Sequence, residues 1–418
     1  AAYYDATGMV DFFGVIGSGC DTHNTLANVI PNMSYPPEPF LHLAAGIKEV
    51  VNVPVIHAQN IKDPNQAQRI LKGGYVDLVG MTRAHIADPH LIAKIKMGQI
   101  DQIKQCVGAN YCIDRQYQGL DVLCIQNAAT SREYMGLPHV TLFEAADSLG
   151  GQITIAAQAP QRDQIAGITR WFQLELARLK VDLRLGTRAD EATLLDLRPD
   201  IVVLATGGQP FLSQHPEWGY SENAEESLVV STWDILSGKV APGKNVLIYD
   251  AICEFSGVSA ADFLADKGAK VEIVTDDIKP GAAVGGTTFP TYYRSLYEKE
   301  VIMTSDLMLH KVYREGDGLV AVLENEYTGA LEERVVDQVV VENGVRPDEA
   351  LYYALKEQSR NKGQVDLEAL YAIQPQPCLV DESGEEGEGF LLFRLGDCTA
   401  PRNTHAAIYD ALRICKDF

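Results

Sequence analysis

The first hundred residues alternate between short apolar runs and segments whose apolar positions recur at helical spacing. Apolar runs at 10–16, 53–58 and 76–80 predict strands. The intervening segments 40–51 and 63–71 predict helices. Short turns between alternating strands and helices predict parallel strands with right-handed crossovers. Closing a barrel takes about eight strands, so the pattern allows an open sheet or a barrel whose earlier strands are absent.

A second α/β pattern begins at residue 140. Residues 104–135 interrupt the periodicity with Gly, Asn and Cys, and they predict a linker or a small metal-binding segment. Strands are predicted at 140–144 and 200–208, with a helix at 162–180 between them. The chain closes with a predicted helix at 404–414.

A strand–helix–strand unit of dinucleotide-binding type follows residue 242. The strand at 245–250, the helix at 257–267 and the strand at 270–275 form this unit. Residues 319–327 and 333–342 predict an antiparallel excursion from it.

Length and charge narrow the functional classes. The 418 residues (45.8 kDa) suggest two or three domains, at about 150 residues each. With 35 basic against 57 acidic residues the net charge is −22, which excludes nucleic acid as a partner. The acidic run 381–388 predicts a solvated loop. A start without Met, close to a strand, is typical of an internal fragment.

The same composition bears on location. A hydrophobic content of 46% allows a full core, and no apolar run approaches the roughly 18–20 residues of a membrane span. No signal peptide opens the chain. Eight cysteines, three of them close together, indicate a reduced compartment rather than a disulfide framework. We therefore expect a cytoplasmic protein.

Polar residues follow two adjacent predicted strands. Backbone N–H groups at the ends of parallel strands, together with one Arg, can hold a dianionic phosphate. The alternative is that Arg83 is a surface ion-pair partner. The candidate phosphate-binding residues are His57, Ala58, Gln59, Asn60, Gly80, Thr82 and Arg83.

These motifs carry a family resemblance. Residues 77–89 resemble the last barrel strand of the old yellow enzyme family, whose late loops grip the FMN phosphate. Residues 106–112 resemble the linker of its multidomain branch, which includes trimethylamine dehydrogenase and 2,4-dienoyl-CoA reductase. From Gly17 to Phe418 the chain is most similar to dimethylglycine and N-methylproline demethylases.

The resemblance implies an α/β fold: the C-terminal part of a (β/α)8 FMN barrel followed by two dinucleotide-binding-type, disulfide-reductase-like domains. We assign 1–103 to the barrel and 104–139 to the Cys-containing linker. Residues 140–240 with 370–418 form the incomplete FAD- or ADP-binding-type domain, and 241–369 form the second dinucleotide-type domain. The resemblance also implies a homo-oligomer.

Three cysteines lie close together in the linker. Cys106, Cys112 and Cys124 have the short spacing of thiolates that wrap a [4Fe–4S] cluster, which usually takes four. The branch has a further Cys where this chain has Ala109. A cluster held by three thiolates and buried free thiols remain alternatives.

Four short motifs occur in the order found in flavin-binding disulfide-reductase-like domains. They imply FAD or ADP, with the acid of the first motif on the adenosine ribose and that of the last on the ribityl chain. A G-x-G-x-x-G loop is expected about 20 residues before the first acid. The family has about thirty more residues there, so binding at full strength is not expected. The motif residues are Glu144, Gly151, Gln152, Thr206, Gly207, Gly396 and Asp397.

The second dinucleotide-type unit has a degraded turn. Residues 250–257 lack the first two glycines of the phosphate fingerprint, and Asp250 and Glu254 add negative charge. The alternatives are NAD(P)H binding and a structural domain without nucleotide.

Candidate catalytic residues follow the first strand. Loops at the C-terminal ends of barrel strands carry catalysis, so Asp21 and His23 could face a flavin-bound substrate. Tyr117 could belong to an aromatic wall around a methylated amine. The alternative for Asp21 and His23 is a capping and turn sequence.

The resemblance predicts a flavin-dependent enzyme that oxidatively demethylates a small methylated amine or amino acid and passes electrons to a protein acceptor. One alternative is an NAD(P)H-dependent enoate or 2,4-dienoyl-CoA reductase, against which the degraded turn argues. Another is a truncated, non-catalytic structural subunit.

Overall fold

The computed structural model describes most of the chain, which divides into two compact units. The predicted loop at 381–388, the junction at 131–139 and the last three residues lie outside the described part. Unit one comprises 1–127, 153–171 and 215–342, and unit two comprises 128–152, 172–214 and 343–418. The described residues are 1–127, 140–223, 226–372, 374–379 and 389–415.

The strands occur throughout both units. They are β1 (Phe13–Val15), β2 (Val55–Ala58), β3 (Leu78–Gly80), β4 (Thr141–Phe143), β5 (Asp182–Arg184), β6 (Ile201–Leu204), β7 (Gly208–Pro210), β8 (Val229–Ser231), β9 (Asn245–Asp250), β10 (Lys270–Val274), β11 (Ile302–Thr304), β12 (Leu307–Glu315), β13 (Gly318–Asn325), β14 (Leu331–Val336), β15 (Gln338–Glu342), β16 (Val345–Pro347) and β17 (Leu391–Arg394).

Most of the helices are short. Across the described ranges, none is long and apolar enough to cross a membrane. They are α1 (Ala2–Asp5), α2 (His23–Val29), α3 (Leu41–Lys48), α4 (Pro64–Lys72), α5 (Thr82–Ala87), α6 (Leu91–Lys96), α7 (Tyr111–Tyr117), α8 (Gln152–Ala156), α9 (Ala166–Arg178), α10 (Glu191–Asp196), α11 (Thr232–Leu236), α12 (Phe255–Asp266), α13 (Phe289–Glu298), α14 (Ala350–Lys356), α15 (Leu367–Tyr371) and α16 (Thr404–Cys415).

The first sheet of unit one has the order β1-β2-β3, with both pairs parallel. Val15 and Val55 on its strands pack with Ala44 of α3 and Ile70 of α4 in one buried cluster. Helix α4 begins at Asp63, whose side chain accepts the Asn65 N–H at 2.9 Å. The predicted alternation of strands and helices is thus present here, and the carboxyl ends of β2 and β3 lie side by side.

The second sheet of unit one is fully parallel and has the order β11-β10-β9-β15-β8. Its central strand β9 packs under α12, with Ile248 and Leu264 completely buried in the same cluster. The strand–helix–strand unit predicted after residue 242 is therefore present as β9, α12 and β10.

The predicted antiparallel strands are present, but the segment 333–342 is divided between two sheets. Strands β12, β13 and β14 form a three-stranded antiparallel sheet, but 333–342 is not one antiparallel segment. It divides at Asp337, whose N–H donates to the Asn245 carbonyl and whose carboxylate accepts the Asn245 N–H at 2.8 Å. These bonds direct β15 into the parallel sheet beside β9.

Unit two contains three separate strand pairs: parallel β4–β5, parallel β6–β17 and antiparallel β7–β16. The predicted strand 200–208 is interrupted, because β6 ends at Leu204 and β7 begins at Gly208. Asn361 anchors β17: its amide donates to the Leu392 and Gln364 carbonyls and accepts the Leu392 N–H, at 2.9–3.0 Å.

Replacing Asn361 tests this anchor. Asn361 is completely buried, so Asn361→Ala leaves the Leu392 amide and carbonyl without partners and should destabilise unit two by about 3 kcal/mol. Urea unfolding, with hydrogen exchange of β17 as the local probe, measures the loss. Asn65→Ala, at an exposed position of α4, is the matched control and should change stability by less than about 0.5 kcal/mol. Equal effects of the two variants would contradict the anchoring role.

Candidate functional site

The loop after β2 has an unusual backbone. Gln59 and Asn60 both have positive φ, 125° and 54°, a strained conformation for residues other than glycine. The Gln59 side chain holds it: its Oε1 accepts the Gly17 N–H at 2.6 Å and its Nε2 donates to the Gly17 carbonyl at 3.0 Å. The same Nε2 lies 3.0 Å from the Asn28 carbonyl. Gln59 therefore fixes the loops after β1 and β2 and has no amide group left for a ligand.

Two buried side chains beside this loop each keep one polar atom without a hydrogen bond in the described structure. His57 donates from Nδ1 to the Val15 carbonyl at 2.9 Å, while its Nε2 has no partner. Burial lowers the pKa of His57, which keeps the ring neutral. Asn60 donates to the Pro36 carbonyl at 3.0 Å, and its Oδ1 has no partner.

The neighbouring strand end requires a glycine. A Cβ on Gly80 would come within 2.9 Å of the Ala58 Cβ, so no larger residue fits between β2 and β3 at this point. Of the predicted phosphate residues, Ala58 and Gly80 thus set the close approach of the strands. Thr82 opens α5 directly after β3.

Arg83 lies at this strand edge and is half-buried. Its Nη1 donates to the Pro31 carbonyl at 2.9 Å and to Asn110 Oδ1. Both acceptors are neutral, so the surface ion-pair alternative is not what the structure shows. Nε and Nη2 make no hydrogen bond to any described residue, which leaves them able to donate to a phosphate. Arg83 at this edge can therefore take part in binding a phosphate group.

Near Arg83 the structure contains a second cation, Lys62, which no sequence pattern indicates. Its Nζ donates to Gln164 Oε1 at 2.5 Å. Burial lowers the pKa of Lys62, the nearby Arg83 lowers it further, and Cys106 opposes the shift. Two cations near one strand edge favour an anion there. A lone Lys in a loop gives no sequence signal for this, because only the fold brings it to Arg83.

The cysteine segment is held in place by hydrogen bonds to other parts of unit one. Asn110, in the left-handed conformation (φ 57°), donates to the Ile30 carbonyl at 2.8 Å and to Thr287 Oγ1 at 3.1 Å. Asp114 accepts the Thr287 N–H at 3.0 Å, and burial raises the pKa of this carboxyl. Sequence reasoning missed Asn110 and Asp114, since nothing nearby in the chain marks residue 287 as their partner.

The three linker cysteines lie close enough to affect one another's ionisation. Burial, and then the neighbouring Cys106, raise the pKa of Cys112 to about 12. Burial also raises the pKa of Cys124. Within the ranges described above, no three His, Cys, Asp or Glu side chains are arranged to hold a metal ion. With Ala109 at the fourth position, the residues present do not fit a four-thiolate cluster, and the cluster stays a prediction.

The candidate catalytic residues lie at two places in unit one. Asp21 Oδ1 accepts the Thr25 hydroxyl at 2.9 Å in the turn into α2, and His23 is the first residue of that helix. The His23 ring packs edge-on against Phe289 at 5.5 Å. Tyr117 ends α7 and is 60% exposed. No described contact joins Tyr117 to Asp21 or His23, so their shared role remains a prediction.

In unit two, residues far apart in sequence come together. Gln152 Nε2 donates to Asp397 Oδ2 at 2.8 Å. A Cβ on Gly207 (φ 71°) would lie 3.8 Å from the same Gln152 nitrogen. The motifs at 151–152, 206–207 and 396–397 thus meet in one place.

The remaining motif residues of unit two make local contacts. The Thr206 hydroxyl donates to the Asp348 carbonyl at 2.7 Å, and Glu144 Oε1 accepts the Ala146 N–H at 2.9 Å. Gly151 and Gly396 have positive φ, 46° and 63°. The Asp397 carboxylate is already engaged by Gln152, and the sequence before Glu144 has no glycine loop for a pyrophosphate.

Comparisons with known proteins agree with this picture. A family model described as "NADH:flavin oxidoreductase / NADH oxidase family" matches residues 32–102, which include the strand edge with Arg83. The N,N-dimethylglycine/sarcosine dehydrogenase of Chromohalobacter salexigens is 82% identical over 452 residues, covering 100% of this chain and 65% of its own. The "Probable N-methylproline demethylase" of Rhizobium meliloti is 38% identical, covering 98% and 64%.

A solved 2-naphthoyl-CoA reductase complex matches 100% of this chain and 62% of its own, with a TM-score of 0.81 at 19% identity. This likeness confirms the expected fold class. The chain spans a little under two thirds of the length of the curated relatives it matches.

Thiol alkylation tests the burial of Cys112. Cys112 is 8% exposed, and its pKa near 12 keeps it a protonated, unreactive thiol at pH 8. In metal-free, reduced protein, iodoacetamide should modify the exposed Cys20 at least about tenfold faster than Cys112, and Cys112 should react faster as the pH rises. Peptide mass spectrometry between pH 7 and 10 follows both. Equal rates at pH 7.5 would show that Cys112 is accessible and ionised.

Proposed function

We propose that this chain, whose residues 32–102 belong to the NADH:flavin oxidoreductase / NADH oxidase family, is part of a flavin-dependent enzyme that demethylates a small N-methylated amine or amino acid. The observation that carries the proposal is the half-buried Arg83 at the carboxyl ends of β2 and β3, with two nitrogens free to donate to a phosphate. The 82% identity to a protein named for dimethylglycine and sarcosine supports the substrate class.

The residues of the strand edge would hold FMN through its phosphate. Arg83 supplies the charge, and Gln59 keeps the loops after β1 and β2 in place around it. When held there, FMN would supply the hydride-accepting chemistry for oxidation of the N-methyl carbon, and hydrolysis of the oxidised amine would give formaldehyde and the demethylated product. Asn110 ties Arg83 to the cysteine segment, so this segment and the flavin loop share one anchor.

On the substrate side we assign Asp21 and His23. An amine gives up a hydride only when its nitrogen is neutral, and an acid or a His near the substrate can set that protonation state. Both residues follow β1, whose end lies beside β2 in the same parallel sheet. We assign Tyr117 to the aromatic surroundings of the methyl groups.

Electrons would leave to a protein acceptor. In unit two, FAD or ADP would contact Glu144, Gln152 and Asp397, but this chain lacks the glycine loop that binds the pyrophosphate. The residues present therefore do not fit a tightly bound dinucleotide in unit two. With Ala109 in place of a cysteine, the three linker cysteines likewise do not fit a four-thiolate cluster.

Flavin retention tests the phosphate site. The purified protein should show a flavin absorbance band at about 450 nm. Arg83→Met should bind FMN about 10- to 100-fold more weakly than the wild-type protein, because it loses charge-assisted hydrogen bonds to the phosphate. Arg83→Lys keeps the charge and should be intermediate. Arg178→Met, which removes an exposed ion pair with Glu175, is the matched control. A colourless wild-type protein that also fails to take up added FMN would refute the proposal and favour a structural subunit.

Substrate-dependent dye reduction tests the reaction class. Dimethylglycine, sarcosine or N-methylproline should reduce an artificial electron acceptor and release formaldehyde in equal amount. Asp21→Asn and His23→Gln should lower kcat/KM by at least about tenfold and shift its pH profile, while FMN content stays unchanged. Reduction of an enone by NADH, without any amine-dependent activity, would instead identify a reductase.

A further inference from the structure

The turn between β9 and α12 lies where a parallel sheet of this kind binds nucleotides. In the order β11-β10-β9-β15-β8 the chain turns in opposite directions on the two sides of β9, so a crevice opens at the carboxyl ends of β9 and β15. In a dinucleotide fold, the backbone N–H groups of the turn after the first strand hold the pyrophosphate. Here Ile252 and Glu254 stand at the first two glycine positions, and Gly257 at the third.

The backbone N–H groups of this turn already have acceptors within the protein. Asp250 Oδ1 accepts the Cys253 N–H at 2.9 Å and the Ile252 N–H at 3.2 Å. The Ala251 N–H donates to the Glu342 carbonyl at 2.9 Å. Asp250 Oδ1 therefore satisfies two donors of the turn, while the Ala251 bond continues the parallel pairing of β9 with β15.

The Asp250 side chain also fills the space beside α12. It is completely buried, and its Oδ2 lies only 2.2 Å from where a Cβ on Gly257 would be. The glycine retained from the fingerprint thus makes room for this carboxyl group. Burial and the adjacent Glu342 raise the pKa of Asp250 to about 7, so part of its charge remains at neutral pH. Glu342 is itself 6% exposed and pairs in register with Asp250.

A further side-chain contact ties the turn to the end of β10. Cys253, with φ 56°, is buried, and its Sγ lies 2.9 Å from the hydroxyl of Thr275, directly after β10. The acids Asp276 and Asp277 follow. In a nucleotide-bound domain the adenosine ribose lies beside the end of this second strand.

We propose that Asp250 takes the place of a dinucleotide's pyrophosphate in this crevice and is the residue that prevents unit one from binding NAD(H) or NADP(H) there. The carboxyl group occupies the turn's donors, and together with Glu342 it repels a second anion. This role of Asp250 is independent of which amine the flavin site oxidises. It restricts the choice of electron acceptor, because electrons cannot reach nicotinamide through this domain.

NADH titration of the unmodified protein tests the proposal directly. Fluorescence of NADH, up to about 1 mM, should show no saturable binding to the turn, and hydrogen exchange of residues 250–257 should be the same with and without NADH. Saturable binding in the micromolar range that protects this turn would overturn the proposal, whatever the amine activity of the same preparation.

A pair of variants separates donor occupation from charge. Asp250→Gly with Glu254→Gly frees two N–H groups and removes both acids, so it should bind NADH at least about tenfold more tightly than wild type, with protection at 250–257. Asp250→Asn removes the charge but keeps the Oδ1 acceptor, so its gain in NADH affinity should be several-fold smaller than that of the double-glycine variant. Hydrogen exchange of β9 without ligand checks that each variant is folded. Equal gains in the two variants, or no gain in a folded double-glycine variant, would overturn the role given to Asp250.

Discussion

The hydrogen bonds of Arg83 organise the part of the molecule on which the functional account depends. One guanidinium nitrogen holds the Pro31 carbonyl and Asn110, which fixes the cysteine segment against the strand edge. The remaining nitrogens make no hydrogen bond to a described residue. A half-buried cation held by two neutral acceptors is favoured by a nearby anion, and the half-buried Lys62 adds a second positive charge close to it. Under the proposed function, a flavin phosphate would meet this requirement.

Three regions of the chain resemble nucleotide-binding turns: the β2–β3 edge, the motifs of unit two and the β9 turn. Their side chains differ in whether they leave donors available for a ligand. At the β2–β3 edge, Gln59 binds neighbouring loops of the protein, and the Arg83 guanidinium stays available for an anion. In unit two, Gln152 and Asp397 meet but no glycine loop accompanies them. At the β9 turn, Asp250 takes up the donors itself. A parallel fold therefore indicates where a nucleotide could bind, while the residues at each turn decide whether one does.

Periodicity and turn residues predicted most of the fold. The parallel units around β2 and β9 follow from alternating apolar runs and short turns, because those patterns act locally. The division at Asp337 could not be predicted, since it depends on a bond to Asn245, 92 residues away. In the candidate site, Arg83 could be predicted because it follows directly after a predicted strand. The contacts of Lys62, Asn110 and Asp114 could not be predicted, because their partners are distant in sequence and only the fold brings them together. The predicted domain boundaries also differ from the two compact units and stay a prediction.

The most direct measurement of the central claim compares FMN with riboflavin, which differ only in the phosphate. Titrated against flavin-free protein, FMN should bind at least about a hundredfold more tightly than riboflavin, and this difference should largely disappear in Arg83→Met. Equal affinities of the wild-type protein for the two flavins would contradict a phosphate site at Arg83.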